Sequence, residues 1–105
     1  TNAPLLPYQC NRLAQRSGLG LAKLGCAGHN MSGDLMLAFS TGNVINPNKK
    51  IIDGIKSVNN NEINILFDAV IESTEESVLN ALVAAETMMG FEGRKVYKLP
   101  VEYLK

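Results

Sequence analysis

Residues 34–41 read Asp34-Leu35-Met36-Leu37-Ala38-Phe39-Ser40-Thr41, and Gly42-Asn43 follows directly. Apolar side chains occupy both alternating faces of residues 35–39, whereas a strand with one exposed face would alternate apolar and polar positions. We therefore predict a central β-strand here that is covered on both faces. Glycine and asparagine are typical turn residues, so Gly42-Asn43 is expected to end it.

An extended segment and a helix are predicted before this strand. Residues 1–6 are expected to be extended, because each residue that precedes a proline is disfavoured in the helical region. Pro7 suits the first turn of a helix, and a stripe of leucines and small residues continues from it to near Gly25. Gly18 and Gly20 each weaken such a helix by about 1 kcal/mol relative to alanine. We therefore expect this helix to pack closely against another element. Residues 25–33 are glycine-rich and predict a loop.

A turn, a weak strand and a long helix are predicted after residue 42. Residues 46–50 favour a turn, and residues 51–58 form a weak strand candidate that Asp53-Gly54 interrupts. Apolar positions then recur at helical spacing from Ile63 toward Gly90. Ser73 and Glu76 form a capping-box pattern. The pattern thus predicts one long helix, with Ser73 as the point where a break is possible, or two helices in sequence, followed by a short extended tail.

The predicted order of elements is an α/β arrangement with too few strands to complete a sheet. A strand covered on both faces needs neighbours at both edges and a layer on each face. The sequence does not supply all of these. We therefore interpret residues 1–105 as one portion of a single larger domain, incomplete on its own.

Composition limits the partners of this chain. Its 46% apolar residues are enough for a core, and its 10 basic and 10 acidic side chains cancel. Nothing therefore attracts its surface electrostatically to nucleic acid or anionic lipid. Its apolar runs are far shorter than the roughly 20 residues that span a bilayer, and residues 1–4 lack the features of a signal peptide. We expect a soluble, cytoplasmic protein that binds neither nucleic acid nor membrane.

The cysteines and the histidine predict no metal site. Cys10 and Cys26 form no CxxC pair, and His29 is the one histidine of the sequence. A typical site would need more ligands of these types. We expect two free thiols, buried or half-buried, and no metal or other cofactor.

The polar cluster of the sequence lies in the loop before the strand and reads Gly28-His29-Asn30-Met31-Ser32-Gly33-Asp34. Ser32 and Asp34 are two residues apart, so they share a face if the backbone is extended. A self-contained triad with His29 is one interpretation, but triads are usually assembled from distant segments. Taken alone, the residues favour loop chemistry, in which Asp34 accepts hydrogen bonds from backbone N–H groups.

Thr1 is a second candidate for chemistry. An N-terminal threonine can act as a nucleophile with its own α-amine as the base. Pro4 shortens the strand that would hold Thr1 rigidly, so the signal is weak on its own.

Three segments of the chain together match the pattern of one family. Residues 1–7 look like the end of its nucleophile-bearing strand, and residues 9–25 look like the helix that follows. Residues 32–41 match its strand motif, a small residue, glycine and an acid followed by an apolar run and Phe-Ser-Thr. Residues 75–88 resemble its final helix, and the likeness is loosest over residues 46–61. As a set, these segments resemble the L-aminopeptidase/D-esterase and β-aminopeptidase enzymes, which are self-processing hydrolases with an N-terminal nucleophile.

The resemblance implies a four-layer αββα sandwich, of which this chain would be the C-terminal, small-subunit portion. Members of the family are made as one inactive chain that cuts itself before a serine or threonine, and that residue becomes the nucleophile. By alignment, it would lie roughly eight positions before Thr1, so we expect the nucleophile to be missing from this sequence. The implied partners are the large subunit of the same precursor and, in a homo-oligomer, further copies. The implied substrates are short peptides, amides or esters with a free amino terminus, often with D- or β-residues.

The resemblance also assigns catalytic roles to Ser32 and Asp34. Asp34 would orient Ser32, which would hydrogen-bond near the nucleophile and its amine. The acid can be glutamate in the family, and the reach of that side chain differs from that of Asp34. The oxyanion-stabilising groups and a tyrosine come from the large subunit, and His29 matches no catalytic role.

The alternative is a truncated homologue with a binding or assembly role and no catalysis. A related enzyme class, the ornithine acetyltransferases, has a similar architecture. It fits the sequence less well, because its members are expected to carry a different threonine-centred motif. Without a nucleophile and an oxyanion hole, residues 1–105 alone are expected to lack peptidase activity. With apolar faces and strand edges open, they are also not expected to remain an ordered monomer.

Overall fold

The computed structural model describes residues 1–103, in which two packed helices are the largest elements. Helix α1 spans Pro7–Lys23 and helix α2 spans Asn64–Ala84. Before the first turn of α1, the backbone N–H of Leu6 donates to Oε1 of Gln9 at 3.0 Å, which gives this donor a partner at the helix start. After the last turn, Gly25 adopts a φ of 90°, a conformation that glycine reaches without steric cost. The helix predicted from Pro7 to near Gly25 is confirmed.

The two helices approach most closely at Gly20. A Cβ atom at this position would lie 2.7 Å from the carbonyl oxygen of Ile71 and 2.8 Å from Cβ of Thr74. Only glycine therefore permits this contact, which confirms the close packing predicted from the helix glycines. Gly18 has open space around its Cβ position, so its lack of a side chain has no packing role in the described structure.

A small core lies between the helices and the N-terminal segment. It consists of the buried side chains of Leu5, Leu13, Ile63 and Phe67. The guanidinium groups of Arg12 and Arg16 lie over the ring of Phe67, at 5.0 and 4.3 Å from its centroid. Each buried apolar side chain contributes about 1.5–3 kcal/mol to stability, so this core holds the two helices together with few residues.

The strand predicted at residues 35–39 is not a regular, doubly covered strand among residues 1–103. Leu35 and Leu37 are 95% and 88% exposed, and strand-type hydrogen bonds form only at the C-terminal end of the segment. There, the backbone nitrogen of Thr1 donates to the oxygen of Phe39 at 3.2 Å. The nitrogen of Thr41 donates to the oxygen of Thr1 at 3.0 Å. The prediction fails because a strand needs partners, and the described residues supply them only at this end.

These two hydrogen bonds define the direction of the pairing. In an antiparallel pair, one residue exchanges both bonds with a single opposite residue. Thr1 instead bonds to the two residues that flank Ser40. Residues 1–5 therefore run parallel to residues 39–41, with Thr1 opposite Ser40.

The weak strand predicted at residues 51–58 is also not a regular strand. Its backbone hydrogen bond to the N-terminal segment runs from the nitrogen of Val58 to the oxygen of Pro4, at 2.9 Å.

Helix α2 is continuous and ends at Ala84, before the predicted limit at Gly90. The hydroxyl of Ser73 donates to the carbonyl oxygen of Val70 at 3.2 Å, within the helix. The prediction of one long helix is confirmed, whereas the alternative of two helices and the capping box at Ser73 are wrong. The unbroken apolar periodicity of the segment outweighs a local capping signal.

A short β-hairpin spans the end of the segment predicted as helix and the predicted extended tail. Strand β1, Met88–Met89, pairs antiparallel with strand β2, Lys95–Val96, in the register Met88↔Val96 and Met89↔Lys95. The turn between them includes Glu92 and Gly93, both with positive φ. Short 3₁₀ turns lie at Phe91–Gly93 and Val101–Tyr103.

The molecule as described is open. Its radius of gyration is 18.8 Å, whereas a compact domain of 100 residues has about 13 Å. Two helices and a two-stranded sheet confirm the α/β class. Large exposed apolar side chains extend along the strand motif, the following loop and the hairpin.

Candidate functional site

Ser32 and Asp34 are brought together as the sequence predicts. A turn precedes them, in which the backbone nitrogen of Ser32 donates to the carbonyl oxygen of His29 at 2.7 Å. The hydroxyl of Ser32 donates to Oδ2 of Asp34. We call these two residues the Ser32/Asp34 pair. Both are exposed, and their hydrogen bond joins residues on the same side of the chain, across Gly33.

The environment of the pair excludes two of the simpler interpretations. His29 contacts Ser32 through its backbone, and no bond between its imidazole and Ser32 occurs among residues 1–103, so a self-contained triad is not formed. Within the same residues, the carboxylate of Asp34 is bonded by the side chains of Ser32 and Cys26 rather than by backbone N–H groups. The loop chemistry predicted for Asp34 is therefore wrong.

The chemistry of the pair follows from its donor and acceptor inventory. An ionised carboxylate only accepts hydrogen bonds, so Asp34 fixes the direction of the Ser32 hydroxyl proton. The lone pairs of the Ser32 oxygen are then free to accept a hydrogen bond from a third group. The pair is thus suited to hold an amine or a hydroxyl in a defined position. The pair contains neither an imidazole nor an amine, the groups that ordinarily activate a serine nucleophile.

Cys26 approaches the pair, and sequence reasoning missed it. Its Sγ lies 3.9 Å from Oδ2 of Asp34, across the loop that joins α1 to the strand motif. Spacing in the sequence gives no signal for this contact, because it depends on the path of a glycine-rich loop. The structure describes both cysteines as free; Cys10 is half-buried as expected, but Cys26 is exposed, contrary to expectation.

Thr1 lies at a different part of the molecule. Its Oγ1 accepts a hydrogen bond from the backbone nitrogen of Ala3 at 3.1 Å, and its backbone pairs with residues 39 and 41. None of the contacts in the described part of the chain joins Thr1 to Ser32 or Asp34. The Thr1 hydroxyl is therefore not placed to act together with the pair.

Two open hollows lie between α1 and residues 36–40. The larger has a volume of about 410 Å³ and includes Leu5, Cys10 and Phe39 in its wall. The smaller has about 210 Å³ and includes Thr1 and Val70. Neither hollow is lined by Ser32 or Asp34, and both of these residues are exposed.

Residues 1–103 contain no cluster of three or more histidine, cysteine or acidic side chains with the proximity that a metal ion requires. None of the helices described is long and apolar enough to cross a membrane.

Comparison with known proteins gives consistent matches over nearly the whole chain. The sequence profile of peptidase family S58 matches residues 1–96. The β-peptidyl aminopeptidase BapA of Sphingosinicella microcystinivorans is 39% identical over 104 residues, which are 95% of this chain and 26% of that protein.

Two solved structures have a similar fold. A β-aminopeptidase from Burkholderia sp. superimposes with a TM-score of 0.84 at 44% identity, over 98% of this chain and 31% of that one. The L-aminopeptidase D-Ala-esterase/amidase of Ochrobactrum anthropi, a prototype for the serine aminopeptidases and a variant of the Ntn hydrolase fold, gives 0.88 at 35% identity, over 98% and 30%. These matches confirm the resemblance seen in the sequence. They also show that the chain spans less than a third of the length of these relatives.

Proposed function

Because the chain belongs to peptidase family S58, we propose that it is the C-terminal, small-subunit part of an aminopeptidase or amidase with an N-terminal nucleophile. In the complete protein, a precursor cuts itself before a serine or threonine. The residue exposed in this way attacks short peptides, amides or esters that carry a free amino terminus. Substrates with β-residues are included, since relatives of the chain are β-aminopeptidases.

The observation that carries this proposal is the register of the parallel pairing. Thr1 lies opposite Ser40, so equal steps backward along the two segments stay opposite each other. The nucleophile would lie roughly eight positions before Thr1, and eight positions before Ser40 is residue 40 − 8 = 32. If the strand continues upstream in the same register, the nucleophile therefore reaches the Ser32/Asp34 pair. The register at Thr1 thus supports the role that the resemblance assigns to Ser32.

The proposed mechanism assigns a distinct task to each group. The α-amine of the nucleophile acts as the base and removes the hydroxyl proton as the oxygen attacks the substrate carbonyl. The Ser32 hydroxyl, directed by Asp34, accepts a hydrogen bond from the nucleophile or its amine and keeps both in position. The protonated amine then gives its proton to the leaving amine or alcohol. Water hydrolyses the ester that remains on the nucleophile, with the same amine as base.

The remainder of the precursor is the proposed partner of this chain. A large subunit would supply the oxyanion-stabilising groups and the wall that the pair lacks. It would complete a four-layer αββα sandwich in which Leu35 and Leu37 are buried rather than exposed. We also propose a homo-oligomer of the complete protein, and a cytoplasmic location, which the free thiols of Cys10 and Cys26 support.

Substitutions in the complete protein test the roles of the pair. We expect Ser32→Ala and Asp34→Asn to lower kcat on an aminoacyl-anilide by about 100-fold, because a misplacement of the nucleophile by about 1 Å costs this factor. His29→Ala is the matched control, since it alters an exposed side chain of the same loop. We expect its kcat to stay within a few-fold of wild type. Equal losses in Ser32→Ala and His29→Ala would contradict the assignment.

A further inference from the structure

The hydroxyl of Ser40 makes three hydrogen bonds at the point where residues 1–5 meet residues 39–42. It donates to the carbonyl oxygen of Ala3 at 2.5 Å. It accepts from the backbone nitrogen of Leu5 at 3.4 Å and from that of Gly42 at 3.1 Å. One half-buried side chain thus bonds to both segments of the parallel pairing.

The hydrogen bonds of Ser40 take the place of a backbone–backbone hydrogen bond that the two segments do not form. After the bond from Thr41 to Thr1, a parallel ladder would next join the nitrogen of Ala3 to the oxygen of Thr41, and then the nitrogen of Asn43 to the oxygen of Ala3. The nitrogen of Ala3 donates instead to Oγ1 of Thr1 at 3.1 Å. In the structure, the Ala3 oxygen is taken by Ser40. The side chain of Asn43 pairs instead with the backbone of Lys56, through two bonds of 2.9 Å. Ser40 is therefore the last point that fixes the two segments to each other.

Gly42 prevents the segments from sliding past this point. A Cβ atom at Gly42 would lie 2.5 Å from both Cα and N of Pro4, and 2.7 Å from the carbonyl carbon of Ala3. A slip of the pairing would place a residue with a side chain against this peptide, which such distances forbid. Hydrogen bonding by Ser40 and the absence of a side chain at Gly42 thus select the same register.

We propose that Ser40, assisted by Gly42, is a positioning residue that locks this register and thereby sets the nucleophile opposite the Ser32/Asp34 pair. The inference rests on the proposed function. A slip of two residues keeps the same side chains on each face but moves them along the strand by about 6.6 Å, at about 3.3 Å per residue. This displacement exceeds the reach of a hydrogen bond, about 2.6–3.2 Å between heavy atoms. Register is therefore as important for the reaction as the identity of the reacting groups.

The test uses the complete protein with three variants. Ser40→Ala removes the hydroxyl, and Ser40→Thr retains it. Ser57→Ala is the matched control, because its hydroxyl donates to Oε1 of Gln9 at 3.0 Å, away from the pairing. The measurements are the extent of precursor self-cleavage, kcat and KM on an aminoacyl-anilide, and amide hydrogen exchange in a peptide covering residues 39–43.

We expect Ser40→Ala to lower kcat by about 10- to 100-fold with KM nearly unchanged, since a misplacement of about 1 Å costs up to this factor. Self-cleavage should slow, and the amide of Thr41, which bonds to Thr1, should exchange faster. Ser40→Thr, which keeps the hydroxyl, should match the wild type in kcat, self-cleavage and exchange of the Thr41 amide. Ser57→Ala should leave kcat within about two-fold, even if it destabilises the protein to the same degree as Ser40→Ala.

Three results would overturn the inference: an unchanged kcat in Ser40→Ala, equal losses in Ser40→Ala and Ser57→Ala, or unchanged exchange of the Thr41 amide. If the wild-type protein neither cuts itself nor hydrolyses the anilide, the proposed function fails. The exchange measurement then still decides whether Ser40 fixes the register. If Ser40→Ala does not fold, Ser40→Cys takes its place, since a thiol has a similar shape but is a weak donor.

Discussion

Gln9 joins α1 to the loop that precedes α2 through a fully satisfied side chain. It is completely buried, and its Nε2 donates to the oxygen of Val58 at 2.7 Å and to Oδ1 of Asn60 at 3.0 Å. Its Oε1 accepts from the nitrogen of Leu6 and from the hydroxyl of Ser57, each at 3.0 Å. An amide can donate two and accept two hydrogen bonds, so no capacity is left unused.

Replacement of Gln9 tests whether this network holds the fold. We expect Gln9→Ala to lower the free energy of unfolding by about 2–4 kcal/mol, because it leaves several polar partners without a bond. Gln15→Ala, an exposed glutamine of the same helix, is the control and should change it by less than about 0.5 kcal/mol. Urea denaturation of the complete proteins measures both. Similar values for the two variants would show that the network has no net effect.

At the same scale, the sequence predicts the Ser32/Asp34 pair but not the residues around it. Two residues separated by one position share a face in any extended segment, so their proximity follows from local geometry alone. The contacts of Cys26 with Asp34 and of Ser40 with Ala3 join positions that are distant along the chain. No local pattern specifies such contacts. The Phe-Ser-Thr motif singles out Ser40 as part of a family pattern, but it does not reveal which atoms it bonds.

The secondary-structure elements differ in how well their patterns predict them. Helix α1 follows from Pro7 and a helical apolar period, and α2 from the period alone, since both signals act within a few turns. Residues 35–39 have the composition of a buried strand, but composition cannot provide the neighbours that make it one. Strands β1 and β2 contain two residues each, too few to show an alternating pattern.

The two glycines of α1 give a matched test of helix packing. We expect Gly18→Ala to raise the free energy of unfolding by about 0.5–1 kcal/mol, because alanine favours a helix and meets nothing there. We expect Gly20→Ala to lower it by about 1–3 kcal/mol, because the methyl group would overlap α2 at Ile71 and Thr74. Thermal and urea unfolding of the complete proteins measure both. The same sign of change in both variants would contradict the packing described for α1 and α2.

At the scale of the whole molecule, the openness of the fold and the exposure of the strand motif have one cause in this account. A soluble domain does not leave a long run of apolar residues in water without a partner surface. Under this proposal, the large subunit would cover residues 35–39, and the register at Ser40 would align the nucleophile with the Ser32/Asp34 pair. Assembly and catalysis then depend on the same segment.

A charged side chain at position 35 tests whether the large subunit packs over residues 35–39. In the complete protein, we expect Leu35→Asp to prevent soluble assembly or to lower the free energy of unfolding by about 3 kcal/mol or more, because it buries an unpaired carboxylate. Met31→Asp is the control, since Met31 lies in the loop before the motif, outside the apolar run that the large subunit is proposed to cover. It should change stability by less than about 0.5 kcal/mol. Soluble yield and unfolding midpoint measure both, and a harmless Leu35→Asp would show that residues 35–39 remain in water.

The most direct test of the central proposal is the intact mass and N-terminal sequence of the purified complete protein. We expect two polypeptides from one precursor, with the smaller beginning at a serine or threonine roughly eight positions before Thr1. A single uncut polypeptide, or one with neither serine nor threonine in that region, would contradict it and would favour a binding or assembly role without catalysis.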